Sequence, residues 1–343
     1  VGDVGRDATA YVQGYSREQE LEADTLGIRY LARAGYDPAA MASFLARLDH
    51  HARLEAALMG LPADQADQMN FVSTHPRTAD RVQAAAQRAG EVAASAPVQR
   101  GVNPEAYLRR MDGILYGDDP DQGFVRGTAF LHPKLLFRFD APSGFRLFNS
   151  TQRVIARNPQ EAIILFDSAR LSDGGAARPV QAQGQPAGQA AGMGIQEYLT
   201  QVWSRDLALT DVETIAIGGL PAATGWARVD TNRGARDLRL VAILFDADTI
   251  YRFTYITPPA LTQSLSFDLR RSTYSFRALT PAEAQQLKPL RLKLVRVVEG
   301  DTVESLAQRL APQDSRDQRF RALNGLGPEE QVQPGQLVKL VVE

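Results

Sequence analysis

Apolar and polar positions along this chain change their period twice. From about residue 16 to residue 88 apolar residues recur every three or four positions, the spacing of helices with one buried stripe. A first helix is expected from about Ser16 to Ala34. Ser16 is its N-cap, Gln19 completes a capping-box pattern, and Gly35 stops it. A second helix opens with Asp37 as N-cap and Pro38 in the first position. Its apolar face is read as Met41, Phe44, Leu45 and Leu48. The loop "FVSTHPRT" (71–78) leads to a third helix from about Thr78 to Arg88.

Residues 89–104, rich in Ala, Gly, Pro and Val, read as a linker, and "PEAYLRRMDGILYG" as a short helix after it. From about Gly127 to Leu287 the pattern shortens to strands: "LLFRFDA", "GFRLFNS", "EAIILFDSA", "TGWARVDT", "LRLVAILFDADTIYRFTYI" and "YSFRALT". "IQEYLTQVWSR" (195–205) is a helix candidate, and 172–194 a flexible low-complexity insertion. Residues 292–342 read strand, helix, helix, strand. The fold class is therefore multidomain: a helical part over 1–100, a helical linker over 101–126, an α+β domain over 127–290 and a small βααβ domain over 291–343.

Composition narrows this picture little. The 343 residues carry 44% hydrophobic and 23% charged side chains, as a soluble globular protein of two or three domains does. A net charge of −2 gives no electrostatic case for nucleic acid or an anionic membrane surface. No apolar run is long enough to span a bilayer. The absence of cysteine excludes disulfides and thiolate metal ligands. The chain opens "VGDVGRDATAYVQGYSRE", without an initiator Met or a signal-peptide pattern. It is read as part of a longer protein.

Candidate chemistry centres on "YSREQELEADTLG" (15–27), which holds four carboxylates. At 100° per residue, Glu20, Asp24, Gly27, Ile28 and Leu31 share one face, and Glu22, Arg29 and Arg33 the opposite one. Glu22 and Glu18 belong to solvent. Glu20 and Asp24 continue the stripe that Ile28 and Leu31 bury. Each then needs a cation, a metal or hydrogen-bond donors, unless the helix start protrudes and leaves both wet.

"SREQELEADTLGIRYLARAGYDP", with "FVSTHPRTADRV" downstream, resembles the M48 family of zinc metallopeptidases. It looks closest to bacterial periplasmic members that survey outer-membrane proteins. In that family one helix supplies HExxH, and a later helix supplies E-x-x-x-D, here "ELEAD" (20–24). The resemblance assigns Glu20 as a zinc ligand and Asp24 as the support of a zinc-bound His. It implies Zn2+ as cofactor, peptide hydrolysis by a metal-activated water, misfolded envelope proteins as substrates, and a periplasmic or outer-membrane-associated location. HExxH is absent from these 343 residues, whose histidines are His50, His51, His75 and His132. As given, the chain is expected neither to hold zinc well nor to cleave peptides.

"STHP" with Arg81 six residues on matches the family's H-P-x-x-x-x-R element. That makes His75 a fourth metal ligand or gate and Arg81 a site-supporting charge. The other reading of His75 is a loop residue that caps the following helix. His50 and His51 are adjacent on the second helix, a poor metal clamp, and read as surface. His132 is read as packing or capping a turn, and Trp203 and Trp226 as core.

The last fifty residues resemble a LysM domain, through "VVEGDTVESLAQRL", "FRALNGL" and "VQPGQLVKLV". That resemblance implies peptidoglycan-type glycan as a partner, bound near Gly300, Asp301 and Thr302, or else a structural cap. Two readings stand: part of a zinc metalloendopeptidase acting in envelope quality control, or a non-catalytic envelope scaffold that binds glycan.

Overall fold

The computed structural model describes residues 17–58, 79–93, 103–172, 194–231, 234–312 and 314–343. The chain forms two compact units. One joins the N-terminal part, to Tyr116, with Leu290–Glu343, and the other is Gly117–Pro289.

The first unit begins with helices α1 (Arg17–Arg33), α2 (Ala40–Leu58) and α3 (Ala79–Ala93). Gly35 ends α1 at φ 79, with its N–H on the Ala32 carbonyl and the Tyr36 N–H on Leu31. Only a residue free to adopt that angle closes such a stop without strain. The Asp37 carboxylate accepts the Ala39 N–H at 2.9 Å and so opens α2. The three helices meet around Ile28, Leu45, Ala85 and Ala89, with Met41, Leu48 and Val82 against them. A Cβ at Gly27 would meet Met41 Cε, the flexible end of that side chain, and no backbone. Two expectations are corrected. Phe44 is 56% exposed, because Leu45 and Leu48 carry the buried stripe of α2 without it. The linker read as starting at 89 is still helix to Ala93, held by Ala89 and Val92 in the same core. Ser16 and the 71–78 loop lie outside the described residues.

Helix α4 covers only Pro104–Arg109, capped by the Asn103 side chain on the Ala106 N–H. The expected helix to residue 117 stops there because the chain turns into extended pairing. Leu115 bridges to Arg291, and the Tyr116 N–H reaches the Leu290 carbonyl at 2.7 Å.

The second unit starts with β1 (Phe124–Arg126), slightly before the residue 127 expected from pattern. It pairs with β2 (Ala129–His132), β2 with β3 (Phe137–Asp140), and β3 with β11 (Arg277–Ala278), all antiparallel. A seven-stranded antiparallel sheet runs in the order β4-β5-β6-β10-β9-β8-β7. Its strands are β4 (Arg146–Asn149), β5 (Val154–Arg157), β6 (Ile163–Arg170), β7 (Thr210–Ile217), β8 (Leu220–Thr231), β9 (Gly234–Leu244) and β10 (Thr249–Thr257). The period of two divides its residues. Phe166, Val241, Ile243, Tyr251, Phe253 and Tyr255 pack toward Phe130, Phe137 and Phe139 of the smaller sheet and Leu269 of helix α6 (Pro259–Tyr274). Leu240, Ala242 and Ile250 point the other way, onto Ile195, Tyr198 and Leu199.

Those last residues belong to the candidate helix at 195–205. It is one α turn, α5 (Ile195–Glu197), that widens into a π-helix over Tyr198–Trp203. The Ser204 N–H bonds the Leu199 carbonyl five residues back, which is the π pattern. Helix α7 (Pro281–Gln286) closes this unit through a capping box of Thr280 and Glu283. Arg277 and the Thr280 N–H hold the Glu283 carboxyl down at about 2.

The chain then rejoins the first unit as β12 (Arg291–Arg296), α8 (Val303–Ala307), α9 (Arg316–Asn324) and β13 (Leu337–Val342), the expected βααβ order. β12 and β13 pair antiparallel from Arg291↔Val342 to Arg296↔Leu337. Val303, Leu306, Phe320, Val338 and Leu340 fill the space beneath them.

Candidate functional site

Helix α1 presents its four acids in two ways. Glu18 and Glu22 are exposed, whereas Glu20 is 4% and Asp24 8% exposed. The cause is the helical period: Glu20 and Asp24 stand two turns and one turn before Ile28, the innermost residue of the stripe.

The cation facing them comes from α3. Arg81, also buried, donates from Nε to Asp24 Oδ2 and from Nη2 to Asp24 Oδ1, each at 2.8 Å. The same Nη2 lies 3.2 Å from Glu20 Oε2. This fork on a carboxylate fixes orientation as well as charge. The hydrogen bonds with Asp24 raise the Arg81 pKa above its ordinary value, against the opposing effect of burial. Nearby, Arg88 of α3 donates from Nη1 to Thr25 Oγ1, a second tie between the two helices. A shallow open groove follows the outer side of α1, along Glu22, Thr25, Arg29 and Arg88; Glu20 and Asp24 do not line it.

The structure therefore brings together Glu20, Asp24 and Arg81, three of the residues singled out from sequence. His75 lies outside the described residues. His50 and His51 are exposed on α2. His132 is buried in β2, where its Nδ1 accepts the Leu135 N–H at 3.1 Å and caps a turn. Burial pushes its pKa down, with Asp121 opposing. In the βααβ segment Asp301 and Thr302 serve the local chain. Asp301 Oδ2 accepts the Val298 N–H at 2.9 Å, and Thr302 caps α8 through a reciprocal pair with Ser305. Gly300 precedes them at φ 86. The tryptophans are half-buried rather than sealed in a core. Trp203 lies under Arg252 and Trp226 beside Arg239. The Arg239 contacts were missed from sequence; an arginine amid the apolar run of β9 was the available signal.

A structural or catalytic zinc takes three or four His, Cys, Asp or Glu donors. Among the described residues no three such side chains gather at one point. Glu20 offers one carboxylate, and Arg81 Nη2 lies 3.2 Å from its Oε2. The described residues alone do not make up a zinc donor set.

Comparison with known proteins bears on this same segment. Residues 4–89 match the family model described as Peptidase family M48. The match takes in α1, α2 and most of α3 and so contains the Glu20–Asp24–Arg81 cluster. No curated protein matches the chain.

Among solved structures, LpqN of Mycobacterium tuberculosis, described as involved in cell envelope biogenesis, is 11% identical with a TM-score of 0.31. That alignment covers 52% of this chain and 99% of LpqN. PsbP (CyanoP) from Synechocystis sp. PCC 6803 is 12% identical with a TM-score of 0.33, over 47% of this chain and 98% of its own. A protein from Bacteroides thetaiotaomicron is 13% identical with a TM-score of 0.34, over 64% and 87%.

Proposed function

We propose that α1 to α3 are part of the catalytic unit of a zinc metalloendopeptidase that hydrolyses peptide bonds in misfolded envelope proteins. The observation that carries the reading is the pair of buried carboxylates one turn apart on α1, inside the stretch matching a peptidase family. In this reading Glu20 supplies one oxygen donor to the metal. Asp24, clamped by Arg81, orients a metal-bound imidazole. His75 is a further ligand or gate. The two-histidine remainder of the donor set is expected from an HExxH helix, which these residues do not contain. No helix among the described residues is long and apolar enough to cross a membrane. A periplasmic setting is part of the proposal.

The test starts with the coding sequence upstream of Val1. The reading expects HExxH there. The longer product should bind one zinc by elemental analysis and cleave an unfolded protein, and Glu20→Gln should lower both. Unchanged zinc stoichiometry in that variant removes Glu20 as a ligand. An upstream helix without the two histidines removes the catalytic reading.

A second reading rests on the βααβ order of 291–342. That segment would be a LysM-like module binding glycan of the peptidoglycan type, with the whole chain as an envelope scaffold. Sedimentation of the chain with purified peptidoglycan tests it. Retention no greater than that of an unrelated protein of similar charge leaves the segment a structural cap.

A further inference from the structure

The second unit holds a buried cation that has no carboxylate in ion-pair contact among the described residues. Arg239 stands in mid-β9, 9% exposed, directly across from Trp226 on β8 and Tyr255 on β10. Its guanidinium carbon lies 5.8 Å from the Trp226 ring centroid and 5.9 Å from that of Tyr255. Nε donates to Thr224 Oγ1 at 3.2 Å and Nη1 to Thr273 Oγ1 at 3.3 Å. Both acceptors are neutral hydroxyls. Other arginines withdrawn from solvent each have an acid: Arg81 has Asp24, Arg252 has Asp167 and Arg321 has Asp317. Among the described residues Arg239 has none in ion-pair contact. Burial accordingly lowers its pKa. A desolvated cation without an anion is costly, and aromatic faces and hydroxyls offset only part of that cost.

The hydroxyls around the guanidinium are engaged with one another. Ser272, next to Thr273 on α6, is 3% exposed, and its Oγ is sealed from solvent against the Tyr255 phenol, which also receives the Thr273 hydroxyl at 2.9 Å. On the arginine, Nη2 has no partner among the described residues, and it is not among the atoms sealed from solvent. One donor, Nη2, is thus unused within a hydroxyl-lined cluster. A water molecule could satisfy it, but would leave the charge uncompensated. An anion does both. The charged side chains close enough to act on Arg239 are Arg270, exposed on α6, and Glu213, exposed on β7. With Arg239 they sum to a single positive charge, which one carboxylate balances and a phosphate dianion overshoots.

We propose that Arg239 is the floor of a carboxylate-binding site between β8, β9, β10 and the C-terminal end of α6. Nη2 donates to the ligand. Nε and Nη1 are already spent on Thr224 and Thr273, so the carboxylate meets the guanidinium end-on through one oxygen. The Trp226 ring at the rim favours a carboxylate carried on a flat or apolar body. A small aromatic acid and the C-terminal carboxylate of an apolar peptide share that chemistry.

The experiment titrates the full chain with benzoate, benzamide and inorganic phosphate, following the Trp226 indole N–H by NMR, assigned through Trp226→Phe. The expected result is a saturable shift with benzoate alone. Glu213→Gln should tighten binding, and Arg239→Met should weaken it by about tenfold or more. The proposal is overturned if benzoate gives no saturable shift in the wild-type chain. Equal binding of benzamide or phosphate, or unchanged binding by a folded Arg239→Met variant, also overturns it. A hydrophobic peptide and its C-terminal amide then separate the sources. Binding only with the free carboxylate assigns a chain terminus, benzoate without either peptide assigns a small acid, and both patterns support the site.

Discussion

Arg81 closes on Asp24 through two parallel hydrogen bonds, Nε to Oδ2 and Nη2 to Oδ1, although 57 positions separate the two residues. Both side chains are about nine-tenths buried, so solvent screens the pair little. Removing the cation strands the buried Asp24 carboxylate. Arg81→Met should therefore cost about 3–5 kcal/mol of helical-unit stability. The triple change Glu20→Gln, Asp24→Asn, Arg81→Met should recover much of that loss, because neither buried side chain on α1 then carries a charge. Amide exchange at Ile28 and Ala85 reads both. Equal loss in the single and the triple variant would mean that packing, not charge, is what Arg81 contributes.

His132 makes the second unit sensitive to pH in one direction. Burial lowers its pKa in the folded state, so the folded protein favours the neutral ring, while the unfolded chain titrates near 6.5. Stability from this group is complete above the unfolded value and is lost as pH falls through the lower folded value. The denaturant midpoint of the second unit should drop from pH 7 toward pH 5. In His132→Gln that part of the slope should vanish. A slope unchanged by the substitution would assign the acid sensitivity elsewhere.

The helices of the first unit were legible because their punctuation is local. Asp37, Gly35 and the spacing of Ile28, Leu45 and Leu48 mark starts, stops and faces without help from distant residues. The inward turn of Glu20 and Asp24 followed from the same period. That Arg81 meets Asp24 with both prongs of its fork did not, because it depends on how α3 crosses α1. Phe44 misled for the opposite reason: helical spacing defines a stripe but not its width. In the second unit β1, β2, β5, β7, α6 and α7 went unread. β7, "TDVETIAI", is mostly exposed and lacks the apolar density that marks a strand, and its signal was the Gly218-Gly219 pair after it. Helix α6 shows large apolar residues outward, Phe267 at 72% exposed, so its stripe is blurred. The π turn at Tyr198–Trp203 is a packing outcome with no sequence signature.

Thr302 is a turn-builder in the βααβ segment whatever that segment binds. Its hydroxyl accepts the Ser305 N–H at 3.1 Å, and Ser305 Oγ accepts the Thr302 N–H at 2.9 Å. Thr302→Ala removes the cap and should cost about 1 kcal/mol. Thr302→Ser keeps the oxygen and should cost much less. If peptidoglycan retention falls in Thr302→Ala and not in Thr302→Ser, the cap orders the binding loop. If retention is the same in both, the loop around Gly300 is not where glycan binds. Thermal unfolding and the sedimentation assay are read on the same samples.

The β7–β8 hairpin turns on two glycines that differ in a testable way. Ile217 pairs with Leu220 across a two-residue loop, with Gly218 at φ 58 and Gly219 at φ 82. Positive φ at both positions is the type I′ geometry that suits the right-handed twist of the strands. A side chain at Gly219 would meet only open space, so Gly219→Ala should cost about 1 kcal/mol, the backbone strain alone. At Gly218 a Cβ would lie 2.8 Å from the Phe276 carbonyl oxygen and 3.4 Å from Arg277 Cα, backbone that cannot rotate away. Gly218→Ala should therefore be the worse of the two by at least about 1 kcal/mol, within the usual range for overpacking. It should also loosen Phe276, whose ring packs on Tyr251 in the main core. Denaturant unfolding gives the difference, and the near-ultraviolet dichroism of the aromatic core reports the loosening. Equal costs at the two positions would show that the Gly218 contact yields without strain.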